Sequence, residues 1–241
     1  MPVHPKVSVV MLLSSGRDAM QVRARNSIQA QTYPNLELVA LDTAPYVGHT
    51  IGYIRNVANA YATGEMIAHA DDDDISHPRR IEEQAALLLA SGKQCVGYRE
   101  LLFWDTRNKF PKSTIGGMPA NEAWLYRNHQ ANWAAGASLL YRRELWERQP
   151  FDDAPHEDMR WMRTPLVSRE CLSVGTHIPL LAGSEFGREP DPHPRPAEPR
   201  IVCGIHASNT EGYDRAVMLR NPDVWRRAPE FDAYCERAMR L

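Results

Sequence analysis

Strand-like and helix-like segments alternate through the first hundred residues of this 241-residue chain, and that alternation leaves few architectures open. The run Val7-Ser8-Val9-Val10-Met11-Leu12-Leu13 is β-rich and ends in the turn Ser14-Ser15-Gly16. A helix is predicted next, capped by Asp18, with Val22 and Ile28 on related faces. Tyr33-Pro34-Asn35 stops it before a second apolar run, Leu36 to Leu41, which Asp42 closes. Ile51 to Tyr61 reads as a helix ended by Gly64, and Glu65 to Ala70 as a third strand in which His69 packs. Ser76 and Pro78 suit the start of a helix over Arg79 to Ala90, whose stripe Ile81, Ala85, Leu88 and Leu89 is closed by Gly92. The expectation is an α/β fold with a mostly parallel central sheet flanked by helices.

Four like charges, Asp71-Asp72-Asp73-Asp74, follow directly on the apolar stretch Met66-Ile67-Ala68-His69-Ala70. Adjacent carboxylates repel, and oxygen donors on a short turn suit a hard divalent cation such as Mg²⁺ or Mn²⁺. A solvated acidic loop is the bland alternative. Ligands of open α/β sheets bind beyond the carboxyl ends of the strands, an edge that the loops after Leu13, Leu41 and Ala70 would share. Asp42 and the acidic run are therefore expected to face one nucleotide-sized crevice, with Ser14 to Arg17 as its third wall.

Composition narrows the class further. A net charge of -2 gives no global electrostatic footprint for nucleic acid. No apolar stretch approaches the roughly 20 residues that span a bilayer, and Met1-Pro2-Val3-His4-Pro5-Lys6 lacks a signal-peptide core, so the chain reads as cytoplasmic. Cys95, Cys171, Cys203 and Cys235 are too scattered for a zinc knuckle or a disulfide framework, and buried free thiols are expected. The second half is less regular. Thr106 to Gln130 reads as a long functional loop, and Ala137 to Tyr141 resumes the alternation. A short helix over Arg143 to Arg148 and a second carboxylate cluster, Asp152 to Asp158, come next. Proline-rich Glu189 to Pro199 reads as a linker, edge or lid; Ile201 to Ile205 delivers His206, and Glu230 to Met239 is helix-compatible.

Val7-Ser8-Val9-Val10, Gln31 to Val39, Ile54-Arg55-Asn56, Ala62 to Ala68, and the acidic run with Pro78 behind it follow one another in a definite order and spacing. In that order and spacing they resemble the family 2 type of nucleotide-sugar glycosyltransferase. Gly136 to Leu145, Pro150-Phe151-Asp152 and Glu157-Asp158 resemble the later block of that family, and the likeness covers most of the chain. The resemblance implies a single GT-A (Rossmann-like) domain, with residues 1–105 as the nucleotide-sugar half and 106–241 as the acceptor half. It also implies an inverting, metal-assisted transfer from a nucleotide-diphosphate sugar to an acceptor hydroxyl. The DxD motif of the family maps onto Asp71 and Asp73, with Asp74 following and Asp72 a competing ligand. Asp158 resembles the general base, with Glu157 positioning it or the acceptor, although the pair also suits the first turn of a helix.

Ser14, Asp42, Arg55, Asp72 and Asp73 are the candidate donor contacts, Arg55 because a guanidinium pairs with phosphate oxygens or else lies exposed on its helix. His206 is either a third metal ligand beside Asp71 and Asp73 or a structural histidine after a strand. The chain departs from the pattern at Leu13-Ser14-Ser15-Gly16-Arg17, where a base-contacting aromatic is missing, and at Asp42-Thr43, where a second acid is missing. A UDP-sugar is the default donor, with other nucleotides open. The acceptor is a saccharide, lipid-linked sugar, peptide or modified nucleic acid. A sugar-phosphate nucleotidyltransferase and a non-catalytic metal- or nucleotide-binding module are the other function classes.

Overall fold

A computed structural model describes residues 4–105, 122–130, 132–175, 199–206, 218 and 220–240. Strand β1 (Val7–Leu13) lies between β2 (Leu36–Asp42) and β3 (Met66–Asp71), parallel to both. Helix α1 (Asp18–Gln29) carries the chain to one neighbour, and α2 (Ile51–Tyr61) carries it back past β1 to the other. Right-handed crossovers in opposite directions put the two helices on opposite faces. The side chains follow the period of two along a strand. Val7, Val9, Met11, Met66 and Ala68 pack with Ala24 and Ile28 of α1, whereas Val10 and Ile67 pack with Ala58 and Ala62 of α2.

Helix α3 (Arg80–Ser91) joins the α1 face through Ile81, Ala85 and Leu88, all fully buried. Burying an Ile or Leu side chain contributes about 1.5–3 kcal/mol, so this stripe is a main anchor of α3. Leu89 and Val22 are largely exposed and belong to neither buried face. Other local expectations shift by a residue or a role. Arg17, not Asp18, precedes α1 as its cap, and Asp18 is the first helical residue. Helix α2 is closed at Ala62, and Gly64 serves close packing instead, because a Cβ there would sit 2.6 Å from the Lys6 carbonyl oxygen. Ser76 belongs to β4 (Ile75–Ser76), and Arg79 caps α3.

The later strands are β5 (Cys95–Tyr98), β6 (Glu100–Asp105), β7 (Glu122–Arg127), β8 (Leu140–Arg142), β9 (Cys171–Val174), β10 (Ile201–Ile205) and β11 (Trp225–Arg227). The central sheet runs β2-β1-β3-β8-β5-β9, with β8 its antiparallel member, and a second sheet runs β11-β7-β6-β10-β4. Strand β7 falls inside the segment read as a long loop. Glu122 to Leu125 are all buried, so β7 shows no alternation of apolar and polar residues and gives no periodic signal; residues 106–121 lie outside the described residues. The proline-rich segment does too, apart from Pro199.

Helices α4 (Arg143–Arg148), α5 (Glu157–Arg163), α6 (Pro165–Glu170) and α7 (Asp232–Ala238) complete the described chain. The four cysteines are free and buried, as expected. Among the described residues no helix is long and apolar enough to cross a membrane. Gly52, on α2, has no room for a side chain: a Cβ would overlap the Asp152 carbonyl oxygen and press on Glu157. Gly52→Ala is expected to cost about 1–3 kcal/mol by overpacking, read as a lower midpoint in urea unfolding with an unchanged slope.

Candidate active site

The end of β3 turns the acidic run into four different environments. Asp72 is almost fully buried and faces the β1–α1 turn. Its carboxylate accepts from the Ser14 backbone N–H at 2.6 Å, Arg17 Nη1 at 2.8 Å and Gln21 Nε2 at 3.1 Å. Gln21 also donates to the Ser14 carbonyl oxygen at 2.6 Å, so Asp72 and Gln21 together fix that turn. Arg17, just before α1, and Gln21, in its first turn, lie four residues apart, a spacing with no functional signal in the sequence. Arg17 reaches further, donating to Asp73 Oδ2 at 3.0 Å.

Asp73 also meets His206 Nε2 at 2.9 Å, a contact across 133 positions. It arises because β10 pairs antiparallel with β4, which follows the acidic run directly (Val202↔Ile75), so the end of β10 lies beside Asp73. Asp74 accepts from the Gly204 N–H at 3.2 Å, and burial with the neighbouring Asp73 and Asp71 pushes its carboxyl well above the usual range. Burial likewise raises Asp71 to about 6, with Arg55 opposing and Asp73, Asp72 and Glu157 adding to the rise. One ligand atom each from Asp71, Asp73 and Asp74 lies within 4.8 Å of the others. Hard oxygen donors so close, held at a cost in repulsion, suit Mg²⁺ or Mn²⁺.

A second cluster lies on the α2 side of the sheet. His69 is on that face because it alternates with Ala68 and Ala70, and Arg55 reaches it from α2. Arg55 is buried, and its fork is engaged by Glu157 Oε1 (3.1 Å from Nη2, 3.3 Å from Nε) and His69 Nδ1 (3.0 Å from Nη1) rather than exposed on the helix. Asp71, Glu157 and Asp158 all act on this guanidinium and hold its proton. The carboxylates from β3 and from α5 thus share one field.

Glu157 and Asp158 open α5, whose first turn they also suit electrostatically. Glu157 is buried, and Asp158, half-buried, accepts from the Met159 N–H at 2.7 Å. Its other oxygen lies against Gly136, where a Cβ would overlap it. Of the nucleoside candidates, Asp42 is exposed at the end of β2 and accepts from the Ala44 N–H at 3.0 Å. Thr43 is turned inward: its backbone and hydroxyl both donate to the Leu13 carbonyl oxygen, at 3.1 and 2.9 Å. Residues 207–210, directly behind His206, lie outside the described residues.

A parallel strand triplet with helices on both faces makes this a doubly wound α/β protein, and its acidic run lies at the carboxyl edge where the strand order switches. More particularly, the fold is that of the GT-A glycosyltransferases. Residues 1–349 of S. aureus TarS in complex with UDP-GlcNAc match with a TM-score of 0.58, over 97% of this chain and 70% of that one, at 14% identity. The mannosyltransferase PcManGT from Pyrobaculum calidifontis, in complex with GDP-Man and Mn²⁺, matches with a TM-score of 0.52 over 99% of this chain and 71% of that one, at 16% identity. EpsE of Bacillus subtilis (strain 168), whose own assignment as a glycosyltransferase is provisional, is 34% identical over 35% of this chain. This chain spans 38% of the length of that curated relative. No family model matches the chain.

Proposed function

We propose that this chain is an inverting, metal-assisted glycosyltransferase that moves a sugar from a nucleotide-diphosphate sugar to an acceptor hydroxyl. The observation that carries this reading is that Asp71, clustered with Asp73 and Asp74 after β3, acts on Arg55 together with Glu157 and Asp158 at the start of α5, in a GT-A fold. Both structural neighbours bind nucleotide-sugar donors, and one binds Mn²⁺ with its donor. Here Asp71 and Asp73, with Asp74 or His206, would hold the cation, and when bound it supplies charge stabilisation to the departing diphosphate.

Residues 1–105 then serve the donor and 106–241 the acceptor. The Ser14 to Arg17 turn, pinned by Asp72, borders the diphosphate, and exposed Asp42 offers acceptor oxygens to the nucleoside. Asp158 takes the proton of the acceptor hydroxyl while that oxygen attacks the anomeric carbon opposite the leaving group. The new bond forms as the bond to diphosphate breaks, and the configuration inverts. Incubation with labelled UDP-GlcNAc, GDP-Man and related donors plus Mn²⁺, with an acceptor panel, tests the class. Sugar transfer with inversion supports it; pyrophosphate-dependent exchange, or tight binding without turnover, overturns it.

Nucleoside choice gives a separate expectation. With Thr43 committed to the Leu13 carbonyl and no second acid beside Asp42, discrimination among bases is expected to be loose. Calorimetry with UDP, GDP and dTDP should give affinities within about tenfold, a spread of about 1.4 kcal/mol. A preference of several orders of magnitude for one base would contradict this.

A further inference from the structure

Arg55 is the centre of a hydrogen-bond chain that the proposed transfer leaves without a role. All three guanidinium nitrogens are engaged, and the group stands 5.9 Å over the Phe151 ring. On the other side of Arg55, His69 Nε2 lies 2.8 Å from Tyr141 Oη, and Tyr141 Oη lies 2.9 Å from the side-chain amide of Asn59. All of these residues are buried.

The donor chemistry gives the chain a direction. Arginine only donates, so His69 Nδ1 must accept from Arg55, although the Gly136 carbonyl oxygen also lies 3.3 Å from it. The imidazole proton is then on Nε2 and goes to Tyr141 Oη. Tyr141 Oη has two lone pairs, and the side-chain N–H of Asn59 donates to the second of them. Arg55 and Asn59 thus donate into the chain from its two ends, with His69 passing the direction on to Tyr141.

At its other end the guanidinium grips Glu157, and the local geometry explains why that grip matters. Helix α5 has only seven residues, and His156 before it is in the left-handed conformation (φ 57) with no side-chain capping bond. Gly52 packs against the Glu157 Cβ from α2. A buried ion pair adds little net stability, but a fork engaged at every nitrogen fixes direction.

We infer that Arg55 is a positioning residue: held by His69, Tyr141 and Asn59, it clamps Glu157 and thereby aims the adjacent Asp158 at the acceptor. The inference rests on the reading of Asp158 as the general base. It assigns Arg55 to the acceptor side of the reaction rather than to the donor phosphates.

Two measurements test it. Long-range ¹H–¹⁵N spectra at neutral pH are expected to show His69 as the Nε2–H tautomer, a signature lost in Arg55→Lys; the Nδ1–H tautomer would overturn the directed chain. The second is a mutant cycle with Arg55→Lys, and with Glu157→Gln as a partner variant that keeps the shape of the carboxylate. Each is expected to lower kcat for transfer by about tenfold to a hundredfold, the cost of a small misplacement, with UDP-GlcNAc or GDP-Man affinity unchanged by calorimetry. In the Asp158→Asn background the same substitutions should cost little, because the group they aim is gone. Equal losses in both backgrounds, or a fall in donor affinity with turnover retained, would overturn the positioning role alone. An Asp158→Asn enzyme at the parental rate would overturn the base assignment itself.

Discussion

Asp158→Asn is expected to slow sugar transfer by about two to four orders of magnitude, the range for loss of a positioned general base. Asparagine keeps the size of the side chain and can keep the contact with the Met159 N–H, so the start of α5 should persist. Donor and metal binding should change little, since the cluster of Asp71, Asp73 and Asp74 does not include this residue. The loss therefore belongs in kcat rather than in donor affinity, and single-turnover transfer beside donor calorimetry separates the two. Gly136→Ala gives an independent check from the opposite wall. Its new methyl group would overlap the Asp158 carboxylate and must push it aside, so transfer should fall while donor affinity holds. Parental rates in both variants would move the base to another carboxylate of the cluster, Glu157 or Asp153.

Asp73→Asn is expected to weaken donor binding in the presence of Mn²⁺ by at least about tenfold, because even residues outside the ligand shell cost about 10–100-fold in metal affinity when replaced. Asp73 is where the Arg17 and His206 contacts meet, so its charge organises both neighbours. Asp72→Asn should be milder for metal, its oxygens being taken up by Ser14, Arg17 and Gln21.

The same site carries a pH signature. Asp71 rises from 3.8 to about 6 in the fold, so metal affinity should fall as pH drops below about 6 and the carboxylate is protonated. Without metal the sign for stability is opposite. The folded state holds this proton more tightly than the unfolded chain, so the contribution is fully present at low pH and is lost as pH rises through about 6. Thermal melts at several pH values, with and without Mn²⁺, read both trends. Mn²⁺ affinity that stays flat from pH 5 to pH 7 would exclude Asp71 as a ligand.

Apolar runs and helical stripes were enough to read off β1, β2, β3, α2 and α4 nearly to the residue, because β1 and β3, buried on both faces, read as continuous apolar runs and α2 buries one face against the sheet. The acidic run was legible for the same local reason: like charges beside an apolar strand stand out without any knowledge of neighbours. Local sequence could not separate the four aspartates. Asp72 turns to the Ser14–Arg17 turn and Asp73 to His206, and those partners reach them only through the parallel β1–β3 register and the β10–β4 pairing. Arg55 shows the same limit. A guanidinium on a helix reads equally as a phosphate contact or a surface charge. Only the packing of α2 between His69 on β3 and Glu157 on α5 decided that it is buried, since contacts 14 and 102 positions away leave no period in the chain.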